Sequence, residues 1–183
     1  MSKAIDQLNL DLGRTEKDKL SVGIGINSGD CIVGNMGSDK RFDYTVLGDA
    51  VNLASRLEGQ SANYGMQIIL GEETIKELSS EEFKYFELDL ISVKGKLEPV
   101  SIYTVFEELK DIDEIEIFME EHSQFLENYR TKKWNEAIKH IEKYRFSVPE
   151  FTLYYTLFFE RINDLSKQSL PEDWAGVYVA TTK

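Results

Sequence analysis

Asn52 and Arg56 are the residues of this chain whose types and spacing best suit chemistry. They are four residues apart in the run DYTVLGDAVNLASRLE, which predicts a helix from about Ala50 to Asn63. A helix places residues i and i+4 on the same face, so an amide and a guanidinium would lie side by side. Two fixed donors suit an anionic group that gains charge, such as a triphosphate in reaction. The same pattern also fits an ordinary surface helix that happens to carry Asn and Arg.

The residues around this helix predict how it is positioned. Asp49 is placed to cap the first turn, because a carboxylate accepts the unpaired N–H groups there, and Gly65 is a helix stop. Upstream, SVGIGI and CIVGNM predict two strands around an NSGD turn, with Cys31 half-buried in the second strand. The glycines of GIGINSG do not have the G-x-G-x-x-G spacing of a dinucleotide site.

The run LSVGIGINSGDCIVGNMGSDKRFDYTVLGDAVNLASRLE resembles the second half of the catalytic domain of class III nucleotidyl cyclases. The similarity continues through QIIL and VKGKLEPVSIYTV, and it covers about half of the chain. The resemblance implies that Asn52 and Arg56 stabilise the transition state, that Lys94 of VKGK contacts the triphosphate, and that Thr45 reads the base. A threonine at that position resembles the pattern of bacterial adenylate cyclases, so the expected substrate is ATP, with GTP less favoured.

The resemblance also implies a metal requirement that this sequence does not meet by itself. Family members hold two Mg²⁺ or Mn²⁺ ions through two aspartates, which lie in segments absent from this chain. Asp6, Asp11 and Asp18 occur near the start, but none has a matching context, so no metal ligand is assigned. We therefore expect the chain to be part of an adenylate cyclase that converts ATP into cyclic AMP and pyrophosphate in intracellular signalling. We expect this chain alone to be inactive.

The partners that the resemblance implies are ATP and a second polypeptide. Cyclase sites are shared across a dimer, so we predict either a homodimer or a complex with a cyclase partner chain. Two alternatives stay open. The chain could be a non-catalytic cyclase-like partner, or a protein-interaction module in which the helical tail makes the contacts.

Composition excludes several classes of protein. A net charge of −12 disfavours nonspecific nucleic-acid binding, which needs Lys and Arg to neutralise phosphates. No apolar run approaches the roughly 18 residues that span a bilayer, so no direct membrane contact is expected, although a longer parent protein could be anchored. Cys31 is the single cysteine, which suits the reducing cytoplasm.

The order of predicted elements indicates an α+β fold, because helices and strands are intermixed and hairpins outnumber crossover units. The resemblance implies a partial ferredoxin-like sheet with helices on one face over residues 1–107. Residues 108–183 predict a tail of three helices with apolar faces, weakly similar to a tetratricopeptide unit. Its two histidines, His122 and His140, are predicted to be packed or solvated rather than bound to zinc.

Overall fold

A computed structural model describes residues 2–15, 17–38, 41–79, 83–93, 98–105 and 115–179. The helices of these residues are α1 (Ser2–Asp11), α2 (Asp49–Tyr64), α3 (Glu72–Glu77), α4 (Ile115–Arg130), α5 (Trp134–Tyr144) and α6 (Thr152–Leu165). The strands are β1 (Ile24–Ile26), β2 (Ile32–Ser38), β3 (Arg41–Leu47), β4 (Ile68–Gly71), β5 (Tyr85–Ser92), β6 (Val100–Val105) and β7 (Tyr178–Val179). No helix within these ranges is both long enough and apolar enough to cross a membrane.

Five strands form one mixed sheet in the order β1-β4-β6-β5-β7. The β1–β4 and β5–β7 pairs are parallel, and β6 is antiparallel to both β4 and β5. Parallel neighbours need a crossover connection, and α2 supplies it between β1 and β4. The predicted α+β fold and the three helices of the tail are confirmed.

Strands β2 and β3 form a separate antiparallel ribbon, in which Ile32 is opposite Leu47. The two strands predicted around the NSGD turn are present as β1 and β2, but they belong to different sheets and do not pair with each other. The physical reason is that α2 packs on β1 and carries the chain back to β4, which takes the position beside β1. Cys31 precedes β2 and is exposed, so its predicted half-burial is also wrong.

The tail helices pack on the sheet and share its hydrophobic core. Sheet residues such as Phe86 and Ile91 belong to the same buried cluster as Phe118 of α4 and Phe158 of α6. The predicted boundary between domains 1–107 and 108–183 falls in residues 106–114, outside the described residues, and stays a prediction.

The tail also contacts consecutive backbone and side-chain groups of β5. Arg130 of α4 forms an ion pair with Glu87 at 2.6 Å, and the Tyr154 hydroxyl of α6 donates to the Leu88 carbonyl at 2.7 Å. His122 Nε2 lies 2.7 Å from the Glu87 carbonyl oxygen. Side chains of α4 and α6 thereby satisfy polar groups on the strand that the sequence places in the cyclase-like half.

Two histidines and a tyrosine form a buried chain of hydrogen bonds in the tail. His122 Nε2 must donate, because its neighbour is the carbonyl of Glu87, so Nδ1 accepts the proton of the Tyr155 hydroxyl 3.0 Å away. The Tyr155 oxygen then accepts from His140 Nε2 at 2.8 Å. This arrangement accommodates both rings in the neutral form, and it agrees with the prediction that the two histidines are packed.

Burial lowers the pKa of His122 to about 4 and that of His140 to about 3. An unfolded histidine has a pKa near 6.5, so the unfolded chain binds more protons below that pH. We expect the free energy of unfolding to be constant above about pH 6.5 and to fall as the pH drops toward 4. His122 alone should contribute a loss on the order of 3 kcal/mol. Urea denaturation at a series of pH values measures the slope.

The variant His122→Gln keeps an amide donor and acceptor but cannot be protonated, so it should flatten much of that slope. Adding His140→Gln should remove the contribution of histidine, since the chain has two. A pH dependence between 4 and 6.5 that is the same in the double variant and the parent protein would contradict this assignment.

Candidate active site on helix α2

Helix α2 presents the two predicted donors on its outer side. Leu53 and Leu57 lie in the core, whereas Asn52 is exposed and Arg56 is half-buried. Among the described residues, neither the Asn52 amide nor the Arg56 guanidinium has a hydrogen bond or ion pair. Both groups are therefore available to a ligand, and their spacing of one turn keeps them on one face.

The ends of α2 match the sequence prediction at one side and differ at the other. Gly65 adopts the left-handed conformation (φ 67°) and its N–H bonds back to the Ala62 carbonyl, which confirms the predicted stop. At the start, Gly48 is the N-cap and the helix begins at Asp49 itself, with no side-chain cap hydrogen bond. The N-cap is therefore Gly48 rather than the predicted Asp49, which lies in the first turn of the helix.

The remaining predicted site residues flank this helix unequally. Thr45 is exposed on β3, opposite Gly34, and β3 both leads into α2 and contacts it. Lys94 lies in residues 94–97, outside the described residues, so its position relative to Asn52 stays a prediction. A cavity of about 240 Å³ is found elsewhere, and it is lined by α4 and α5 residues such as Gln124 and His140.

Two glycines, Gly25 in β1 and Gly23 just before it, let α2 lie directly on the strand. A Cβ atom at Gly25 would be 2.1 Å from the Ala54 carbonyl oxygen and 2.4 Å from the Glu58 nitrogen, both of which are backbone atoms of α2. A Cβ at Gly23 would be 2.1 Å from the Ser61 hydroxyl oxygen. The glycines of the GIGI run thus set the distance between the sheet and the helix that carries Asn52.

Asn27, at the end of β1, ties the strand to the first turn of the same helix. Its Nδ2 lies 3.3 Å from the Ala50 carbonyl oxygen, and its buried Oδ1 has no hydrogen-bond partner among the described residues. Sequence reasoning missed this positioning contact. Its signal was an amide directly after a glycine-rich strand, a place where a polar side chain can bind a helix start.

The variant Gly25→Ala should therefore displace α2, because the clash involves backbone atoms that cannot rotate away. We expect a loss of roughly 3 kcal/mol in the free energy of unfolding. Chemical denaturation measures the effect. Gly34→Ala in the ribbon is the matched control, since a Cβ there meets nothing within 4 Å. An equal loss of stability in the two variants would contradict the conclusion that Gly25 sets the distance between α2 and the sheet.

Asp11 and Asp18, near the start of the chain, are engaged in local hydrogen bonds. Asp18 accepts hydrogen bonds from the backbone N–H and hydroxyl of Thr15, and these bonds lower its pKa. Asp11 accepts from the Gln7 amide at 2.8 Å. Among the described residues, no three His, Cys, Asp or Glu side chains converge in a way that could hold an ion. The residues present therefore do not fit the two-metal centre that the resemblance implies.

Comparison with known proteins identifies the family. The family model described as "Adenylate and Guanylate cyclase catalytic domain" matches residues 1–107. An adenylate cyclase of Anabaena cylindrica is 43% identical in an alignment of 113 positions that covers 57% of this chain and 22% of that protein. The terminal-differentiation-specific adenylate cyclase of Dictyostelium discoideum is 41% identical over 48% of this chain and 4% of its own length.

Among solved structures, the adenylyl cyclase CyaB from P. aeruginosa is 40% identical, with a TM-score of 0.49. The match covers 57% of this chain and 51% of that one. The chain thus spans about half of this solved relative and about a fifth of the Anabaena protein. Because the family match extends over more than half of its residues, the chain belongs to the family of adenylate and guanylate cyclase catalytic domains.

Proposed function

We propose that the chain supplies Asn52, Arg56, Thr45 and Lys94 to the active site of a class III adenylate cyclase, which converts ATP into cyclic AMP and pyrophosphate for intracellular signalling. The observation that carries the proposal is the pair of unengaged donors on α2. The named relatives that are adenylate cyclases support ATP as the substrate. Because ATP is abundant in the cytoplasm, a cytoplasmic location follows from the same proposal.

The chemistry assigns each donor a role. The ribose 3′-hydroxyl gives up its proton to solvent as its oxygen bonds to the α-phosphorus. The bond between the α-phosphorus and the oxygen that bridges the α- and β-phosphates breaks, and pyrophosphate leaves with that oxygen and the electron pair. Negative charge grows on the α-phosphate oxygens and on the leaving oxygen, where the planar guanidinium of Arg56 can form two parallel hydrogen bonds. The Asn52 amide would orient the ribose. Lys94 would anchor the terminal phosphates as a point charge, and the Thr45 hydroxyl would bind the base edge.

The metal ligands must come from another polypeptide segment in this proposal. Mg²⁺ or Mn²⁺ would be held by aspartates outside the described residues, since these residues offer no ion site. We therefore expect the purified chain alone to form no cyclic AMP from ATP and Mn²⁺. Turnover by the isolated chain would contradict this part of the proposal.

A partner subunit is the second requirement, and the ribbon of β2 and β3 supports its existence. Large apolar side chains on this ribbon face solvent, with Ile32 70%, Phe42 62% and Tyr44 76% exposed. Exposed apolar patches mark interaction sites more often than chance. We propose a homodimer or a complex with a cyclase partner chain. Light scattering on the chain, alone and with a cyclase, measures the mass.

The decisive experiment restores a damaged cyclase. A full-length cyclase in which the equivalents of Asn52 and Arg56 are replaced by alanine keeps its metal-binding aspartates but lacks the transition-state donors. Adding this chain should restore cyclic AMP formation if a mixed dimer completes one site. An increase in mass without restored activity would instead favour the alternative of a non-catalytic partner.

A further inference from the structure

Three polar side chains from distant parts of the sequence meet in the core at the end of α2. Tyr64 is the last residue of α2, Asp89 lies on β5 and Arg161 lies on α6. The Tyr64 hydroxyl donates to Asp89 Oδ2 at 2.6 Å, and Arg161 Nη1 donates to the same oxygen at 2.5 Å. Arg161 Nη2 also donates to the Tyr64 hydroxyl at 3.2 Å. Each group therefore contacts the other two.

The cluster is shielded from solvent and fixed on its outer sides. Tyr64 is 0% exposed and Asp89 is 1% exposed. The second carboxylate oxygen, Asp89 Oδ1, accepts the Leu90 N–H at 2.8 Å. The Arg161 guanidinium lies 3.7 Å from the ring centroid of Tyr178 on β7, a cation–π contact. The Arg161 guanidinium thus connects helix α2, strand β5 and strand β7.

This geometry adds a directed constraint on the rotation of α2 about its own axis, beside the burial of Leu53 and Leu57 on its inner face. The directions of Asn52 and Arg56 depend on that rotation, because a helix turns as a rigid unit. The close contact with Gly25 fixes the distance between the helix and the sheet. Glycine has no side chain, however, so this contact resists rotation of the helix only weakly. A directed hydrogen bond from Tyr64 resists it strongly. Tyr64 is eight residues beyond Arg56, about 12 Å along the axis.

We propose that Asp89 and Arg161 are positioning residues that act through Tyr64, so that the tail helix α6 holds the site helix α2 in the rotation that presents Asn52 and Arg56 to the nucleotide. The inference rests on the proposed function for its catalytic readout. It gives the tail a role inside the cyclase unit that does not require a separate binding partner.

The variants Tyr64→Phe and Tyr154→Phe provide a matched test in the full chain. Both remove one hydroxyl from a fully buried tyrosine, and both hydroxyls donate to β5, one to Asp89 and one to the Leu88 carbonyl. Tyr64 is on the site helix, whereas Tyr154 is on α6. The first readout is amide hydrogen exchange of residues 50–64. The second is kcat and KM of the mixed dimer formed with the donor-deficient cyclase.

We expect Tyr64→Phe to speed amide exchange in α2 from Tyr64 back to Arg56. It should also lower kcat about 10- to 100-fold and leave KM for ATP nearly unchanged, because misplaced donors reduce the stabilisation of the transition state more than the binding of the substrate. Tyr154→Phe should leave the kcat of the complex and the exchange of residues 50–56 at parent values. If both variants change kcat and exchange alike, or if Tyr64→Phe changes neither, the inference is wrong. If the unmodified chain restores no activity, the proposed function fails, and the exchange comparison alone decides the inference.

Discussion

Replacing Arg56 by alanine is expected to lower cyclic AMP formation by about 10²- to 10³-fold in the mixed dimer. The reason is that, in the proposed reaction, charge on the α-phosphate grows in the transition state and the Arg56 guanidinium would stabilise that charge. The Arg56 guanidinium is half-buried and forms no ion pair among the described residues. Its removal therefore breaks no ion pair within that part of the chain. Initial rates over a range of ATP concentrations separate kcat from KM.

Two further variants make the Arg56 measurement specific. Arg56→Lys keeps the charge but loses the planar pair of N–H groups, so it should recover only part of the rate. Ser55→Ala changes the exposed neighbour on the same helix and should leave the rate near that of the parent chain. A loss of less than about threefold for Arg56→Ala would contradict the proposed transition-state role.

Replacing Arg161 by methionine is expected to lower the free energy of unfolding by roughly 3–5 kcal/mol. The change removes the cation that faces Asp89 and leaves a carboxylate buried without its charged partner, which is far more costly than losing a surface pair. Urea denaturation followed by far-ultraviolet circular dichroism measures the effect. Lys139→Met, which breaks an exposed pair with Glu136 at 2.9 Å, is the control and should barely move the urea midpoint.

The pH dependence of the Arg161→Met variant supplies a check on the mechanism. Burial raises the pKa of Asp89, while the Arg161 guanidinium and the Tyr64 hydroxyl oppose that rise. Without Arg161 the carboxyl should be neutral at low pH and costly once it ionises, so the loss of stability should grow as the pH rises above about 4. Adding Asp89→Leu should recover much of the stability, since apolar replacements of buried pairs are often tolerated.

Short-range sequence patterns predict much of the fold and of the candidate site. The i, i+4 spacing of Asn52 and Arg56 and the glycine at position 65 are short-range features, and α2 ends where they predict. The apolar periodicity of the tail likewise places α4, α5 and α6. Thr45 and Lys94 were assigned from the resemblance alone, and their roles stay predictions.

Long-range pairing could not be predicted in the same way. The sequence around the NSGD turn predicts a strand on each side but not their partners, and the partner of the GIGI strand is β4, beyond a helix. The contacts of Tyr64 with Asp89 and Arg161 span 25 and 97 residues, and no local pattern marks them. The one available signal was an aspartate within the apolar strand FELDLI, since a buried carboxylate requires a partner.

The pairing of β7 with β5 has a consequence for how the polypeptide must be produced and handled. Because Tyr178 and Val179 pair with Ile91 and Ser92, a chain cut after α6 would leave the backbone groups of this end of β5 without their strand partner. An unpaired strand edge invites intermolecular strand addition. A shortened version should therefore aggregate more readily than the full chain during purification.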